Sequence, residues 1–138
     1  MSGRMLRIPL VVLDGFLGLT AIAGGVGLLA GINAPPTADL AGSLFSDYTI
    51  PALALLVIVG GAGVVSTVMT LRKHRYAALA SGAAGVVILI FEIVEVLAIG
   101  SPPGVARTLQ IFYFALGLLI ILLALALWSS QRRSLAAG

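Results

Sequence analysis

Four long apolar stretches, each close to the length that crosses a bilayer, dominate this sequence and leave almost nothing over for a soluble domain. They run from about Ile8 to Gly31, Ile50 to Leu71, Tyr76 to Gly100 and Thr108 to Trp128. A membrane-spanning helix needs roughly 20 consecutive, mostly apolar residues. The runs are continuous rather than alternating and far longer than a barrel strand of about 9–11 residues, which excludes a β-barrel reading. The breaks between them are chemically clear. Asn33-Ala34-Pro35-Pro36 and Ser101-Pro102-Pro103-Gly104 end the first and third stretches, because proline lacks an amide proton and drives the residue before it out of the helical region. Only Arg72-Lys73-His74-Arg75 separates the second stretch from the third. The expectation is one all-α domain over residues 1–138, a polytopic bundle of four transmembrane helices. A cleaved leader fits poorly. Arg4 and Arg7 precede the first stretch and Ala21-Ile22-Ala23 resembles a cleavage site, but Asp14 interrupts the apolar core and the run continues well past Ala23.

Charge supports the same class. Hydrophobic residues make up 60% of the chain and charged residues 9%, against about 25% charged in soluble domains, so the outer surface must face lipid. Eight residues are Lys or Arg. Arg4, Arg7, Arg72, Lys73, Arg75, Arg132 and Arg133 fall on one side of the predicted membrane, and Arg107 alone falls on the other. The positive-inside rule makes the first side cytoplasmic and places both termini there, in a multi-pass protein of the cell membrane. The basic flanks read as topology signals and contacts for anionic lipid headgroups, not as a nucleic-acid surface. Trp128 at the inner end, with Tyr48 and Tyr113 near the outer ends, suits interfacial anchoring.

The outer loop, residues 32–49, is expected to carry a short interfacial helix over residues 36–45, with Leu40, Leu44 and Phe45 dipping into the bilayer. Asp47 or Thr49 can cap the following helix, and Pro51 fits its first turn. A faint internal repeat pairs Arg7–Pro35 with Arg75–Pro102, each a basic residue, a long apolar helix and a polar-proline stop, as two hairpins of like orientation would have.

Small residues at four-residue spacing mark candidate packing faces: Ala23, Gly27 and Gly31; Ala62, Ser66 and Thr70; Ala77, Ser81 and Gly85. In lipid, such faces let backbones approach closely, and association depends on packing. They are expected to build one bundle, with a homo-oligomer seam on the second helix, around Gly60, Gly61 and Gly63, as the alternative.

The sharpest chemical signal is a pair of acids. Glu92 and Glu95 lie three residues apart and share a helical face. At about 1.5 Å per residue, Glu92 lies about 12 Å and Glu95 about 7 Å inside the helix end at Gly100. A charge at the bilayer centre costs roughly 2.5–3.5 kcal/mol on insertion scales, so two acids there must be protonated, partnered or wetted. One reading is an ion or ligand pocket of Glu92, Glu95, Gln110 and Tyr113 opening outward. The other is interhelical hydrogen bonding among the same groups, with Arg107 as a further candidate partner of the acids. Asp14 is a third intramembrane acid, expected to pair locally with Arg7, Arg72 or Arg75. Its alternative role is the inner station of a proton path, for which Thr20 is the only polar stepping stone.

Much chemistry is excluded. With no cysteine and one histidine, His74, disulfides, thiolate metal sites and bis-histidine haem are ruled out. No phosphate loop or nucleophile elbow occurs, and no cofactor or metal is expected. An enzyme would have to work with acids, tyrosines and hydroxyls alone, so a non-enzymatic role is favoured.

The run Asp47-Tyr48-Thr49-Ile50-Pro51, the Gly60-Gly61 pair and Phe91-Glu92-Ile93-Val94-Glu95-Val96 resemble a broad group of small bacterial four-helix membrane proteins that carry no assigned activity. The overall layout is also similar to DoxX-like proteins, some of them linked to respiratory or redox membrane complexes; that resemblance transfers no residue roles. Two functions are therefore expected in parallel. One is an outward-facing intramembrane acidic pocket for protons, cations or a small lipophilic ligand such as a quinone. The other is a structural or accessory subunit whose partner is another membrane protein, whereas a homo-oligomer of this chain alone would go with the pocket.

Overall fold

The computed structural model describes residues 2–32 and 34–137, and among them it is helical with no strand. Four helices are long and apolar enough to cross a membrane: α1 Gly3–Leu29, α2 Thr49–Leu71, α3 Ala77–Ile99 and α4 Val105–Ala137. Large apolar side chains stay exposed all round the bundle, Leu19, Leu97 and Leu122 among them, as expected of a surface that meets lipid.

The helix ends follow local chemistry more than hydropathy. α1 starts at Gly3, because the Ser2 hydroxyl accepts from Met5 N at 3.3 Å, and it runs on through Pro9. Its end is set by Gly31 at φ +75, with Ile32 N donating to Gly27 O at 2.8 Å and Gly31 N to Leu28 O at 3.2 Å. That is a Schellman closure, and it precedes the prolines; Asn33 lies outside the described residues. α3 stops at Gly100, φ +72, whose N still donates to Val96 O at 2.8 Å. α2 closes the same way on Lys73, which holds φ +53 without being glycine. α2 is continuous but widens to π-helical bonding over Ala54–Val59. α4 is 33 residues long and continues past Trp128, since the polar run from Ser129 to Ala137 ends the apolar span without breaking the helix.

The helices form a ring in chain order. α1 packs on α2, α2 on α3, α3 on α4 and α4 back on α1, while α1 and α3 barely touch across the diagonal. Each hairpin is closed by a glycine pair. A Cβ on Gly63 of α2 would stand 2.6 Å from Gly18 Cα of α1, and one on Gly85 of α3 would stand 2.9 Å from Gly117 O of α4. Gly60 also presses on Ile22, so the α2 seam considered for a homo-oligomer is taken up by α1 at Gly60 and Gly63. Of these three, Gly61 is the one with open space around it. The stripe Ala23, Gly27, Gly31 is not a packing face. Ala23 is exposed, a Cβ on Gly27 would meet only Ile32 O at 3.9 Å, and Gly31 is a cap. The α1 face that packs is Asp14, Gly18, Ala21 and Gly25, one side of the helix by its spacing.

The loop after α1 makes a 3-10 turn over Thr37–Leu40 rather than an interfacial helix. Gly42 at φ +82 and the Ser43 hydroxyl, which donates to Leu40 O at 2.7 Å and accepts from Phe45 N at 3.2 Å, fold it back. Leu40 is buried and Phe45 half-buried, but Leu44 points away, 98% exposed.

Candidate intramembrane acidic site

The bundle has two chemically distinct ends. At one, Arg4, Arg7, Lys73, Arg75 and Arg132 gather around a shared surface groove with Trp128 and Tyr76. At the other, the loop between α1 and α2 folds over the ends of α1, α2 and α3. The intramembrane acids lie between them, at two levels.

Asp14 sits nearer the basic end and is fully buried. Its partner is Ser81 of α3, whose hydroxyl donates to Asp14 Oδ2 at 2.6 Å. Thr70 Oγ lies 3.5 Å from the same hydroxyl and donates to Ser66 O. Pairing with an arginine was expected and is not what forms: Asp14 Oδ1 and Arg7 Nε are both buried without a hydrogen-bond partner. α1 starts at Gly3, five residues earlier than hydropathy suggests, and Asp14 lies level with the Ser81 hydroxyl of α3. Thr20 does not bridge towards the other acids, because its hydroxyl turns back to Phe16 O at 2.7 Å.

Glu92 and Glu95 lie near the far end of α3. Their carboxyls are neighbours on one face of the helix, and Gln110 of α4 lies near Glu95. Gln110 Nε2 donates to Gly100 O at 3.0 Å, which fixes the direction of its amide. Glu92 is 6% exposed and Gln110 5%, yet Glu92 Oε2 and Gln110 Oε1 have no hydrogen-bond partner. Buried polar atoms are nearly always satisfied, so an orphaned oxygen on each of two residues that line the same groove is informative.

Each acid opens onto its own space. Glu95 lines a chamber of about 110 Å³ roofed by Leu40, Phe45 and Tyr48 and floored by Phe91 and Ala54. A cavity of roughly 150 Å³ holds a benzene ring, so this chamber suits one small group. Glu92 and Gln110 line a groove of about 520 Å³ between α3 and α4, walled by Ile93, Leu97, Ile111 and Phe114. Tyr48 anchors the roof by donating to Pro36 O at 3.2 Å. Partial burial, and the charges of Asp39 and Glu95, hold its hydroxyl above the ordinary tyrosine range, so it stays a donor at neutral pH.

Two expected members stand apart. Tyr113 stacks on Phe16 of α1 at 6.4 Å between ring centres and packs against the core. Arg107 is not a partner of the acids. It is exposed, and its Nη2 donates to Ser101 O at 2.6 Å, capping the turn between α3 and α4. The sequence pattern does not reveal Ser81 of α3 as the donor to Asp14, nor the loop residues that roof the chamber. A usable signal existed for the first: an intramembrane acid must face protein, so the small residues spaced from Asp14 mark its face. Among the described residues no three His, Asp or Glu side chains come together as a metal site would need. Comparison with protein-family models, with curated proteins and with solved structures gives no match to this chain.

Proposed function

We propose that this chain is a multi-pass protein of the cell membrane whose Glu92–Glu95–Gln110 cluster is a ligand pocket at the non-cytoplasmic side. The observation that carries it is that Glu92 and Gln110, each with a buried oxygen that has no hydrogen-bond partner, both line the groove between α3 and α4. A cluster that served only to hold α3 to α4 would use those atoms between the helices. Seven of the eight basic residues lie at the end that holds both termini or in the turn beside them, and the positive-inside rule then supports cytoplasmic termini and an outward-facing acid pair. The pocket's chemistry suits a proton, a cation or a small lipophilic ligand and calls for no bond-making step.

The test has two arms. A lipophilic carbodiimide, applied to protein in bilayers, should modify Glu92 from the groove, read by peptide mass spectrometry. Molecules extracted from purified wild type should be lost from the Glu92→Gln, Glu95→Gln double variant. If Glu92 stays unmodified and a normally folded double variant keeps every bound molecule, the reading is wrong.

The accessory-subunit reading draws on the same groove, since its open side gives a neighbouring membrane helix lateral access to the acids. Purification in gentle detergent separates the two: a stoichiometric second protein supports the accessory role, and an isolated homo-oligomer supports the pocket.

A further inference from the structure

We propose that the basic end of the bundle is a built site for one anionic phospholipid, its phosphate in the groove among Arg7, Arg75 and Arg132 and an acyl chain along a furrow between α3 and α4 that starts at Trp128. The site lies at the opposite end from the acidic pocket and stands independently of it.

Charge comes first. Three separate elements wall the groove: the start of α1 with Arg4 and Arg7, the turn between α2 and α3 with Lys73 and Arg75, and the tail of α4 with Arg132. Five cations share about 610 Å³, and no acid lines that space. Asp14 is buried against Ser81, Asp39 and Asp47 sit in the loop between α1 and α2, and Glu92 and Glu95 lie near the far end of α3. Like charges gathered without a counter-ion repel one another, and a phosphate placed among them is held by charge-assisted bonds that arginine makes in pairs.

The third wall exists because α4 does not stop where its apolar span does. It continues from Ser129 to Ala137, about 13 Å of helix, and brings Ser130, Gln131 and Ser134 alongside Arg132 as further polar groups. Trp128 lines this groove and also lines the furrow between α3 and α4, a space of about 580 Å³ walled by Leu79, Ala83, Val86, Ile121 and Leu125. Leu79 is 62% and Leu125 57% exposed, so the furrow faces lipid.

That continuity selects the occupant. A soluble phosphate would use the charges and leave the furrow, and a fatty alcohol would use the furrow and leave the charges. An anionic phospholipid uses both, with the Trp128 indole at their junction, the depth at which tryptophan sits in membrane interfaces. The neighbouring cations separate a site from a diffuse attraction. Arg72 and Arg133 adjoin Lys73 and Arg132 in sequence but do not line the groove.

Trp128 is the chain's one tryptophan, so its fluorescence reports the site. The full chain is placed in phosphatidylcholine vesicles with rising fractions of phosphatidylglycerol whose acyl chains are brominated near the headgroup and quench indole on contact. Quenching is expected to saturate at a mole fraction about tenfold lower than with brominated phosphatidylcholine. Arg75→Gln with Arg132→Gln should remove most of that preference. Arg72→Gln with Arg133→Gln takes the same charge from the same turn and tail, and should leave it within about twofold. Ala83→Leu, which fills the furrow, should weaken brominated phosphatidylglycerol severalfold at unchanged helicity by circular dichroism. Glycerol phosphate in solution should not reverse the quenching. Equal losses in the two double variants, equal quenching by the two brominated lipids, or an Ala83→Leu protein that binds as wild type overturns the proposal. Reversal by millimolar glycerol phosphate also overturns it and assigns the groove to a soluble phosphate ester.

Discussion

Asp14 and Glu92 are both acids buried within membrane spans, yet the protein treats them in opposite ways. Asp14 lies where helices are tightest, one turn from the Gly18–Gly63 contact, and a hydroxyl from a third helix answers it. Glu92 lines a groove between α3 and α4, and like Asp14 it keeps one buried carboxyl oxygen without a hydrogen-bond partner. Burial alone therefore does not mark a functional acid in a membrane. What separates the two is whether the space beside the carboxyl is filled.

The comparison can be broken experimentally, beginning with the tight half. Gly63→Val puts a side chain into the Gly18 backbone and should cost about 3 kcal/mol in a reversible unfolding titration. Gly61→Val, in open space, should stay within about 0.5 kcal/mol of wild type. Asp14→Ala leaves a void and strips Ser81 of its acceptor, with an expected loss of about 2 kcal/mol in the same titration. A cost near zero would remove the distinction between the two acids. Lys73→Gly relieves a left-handed backbone and should raise stability by about 1 kcal/mol, seen as a higher melting temperature. Glu92→Gln should have the smallest effect on stability, within about 0.5 kcal/mol, while abolishing carbodiimide labelling at that position. A large loss of stability there would recast Glu92 as a structural residue.

Four spans were legible in the sequence because hydropathy over 20 residues reports the solvent a helix needs. Helix ends were less so. Ser2 extends α1 to Gly3, and the tail beyond Trp128 stays helical, because capping and backbone propensity act where hydropathy is silent. The packing faces were half legible. Ser66, Thr70, Ser81 and Gly85 line the interior as their spacing suggests. Ala23, Gly27 and Gly31 have the same spacing but not the same role, since spacing names a face without saying which way it turns. Asp14 held that information for α1. In the candidate site, Glu92, Glu95 and Gln110 meet across α3 and α4, as their similar depth implies. Arg107 and Tyr113 have rotamers that only the neighbouring turn and helix decide, and no sequence period carries those.

The two glycine contacts have a mechanical consequence. Backbone against backbone leaves no layer of side chains to compress, so each hairpin moves as a rigid body and any relative shift falls on the seam between hairpins. That seam is pinned near the basic end by the Asp14–Ser81 bond. The groove at Glu92 belongs to one hairpin and would keep its shape. The chamber at Glu95, built from α1, α2 and α3 together, lies at the far end of the lever, and its volume is the dimension such a pivot would change.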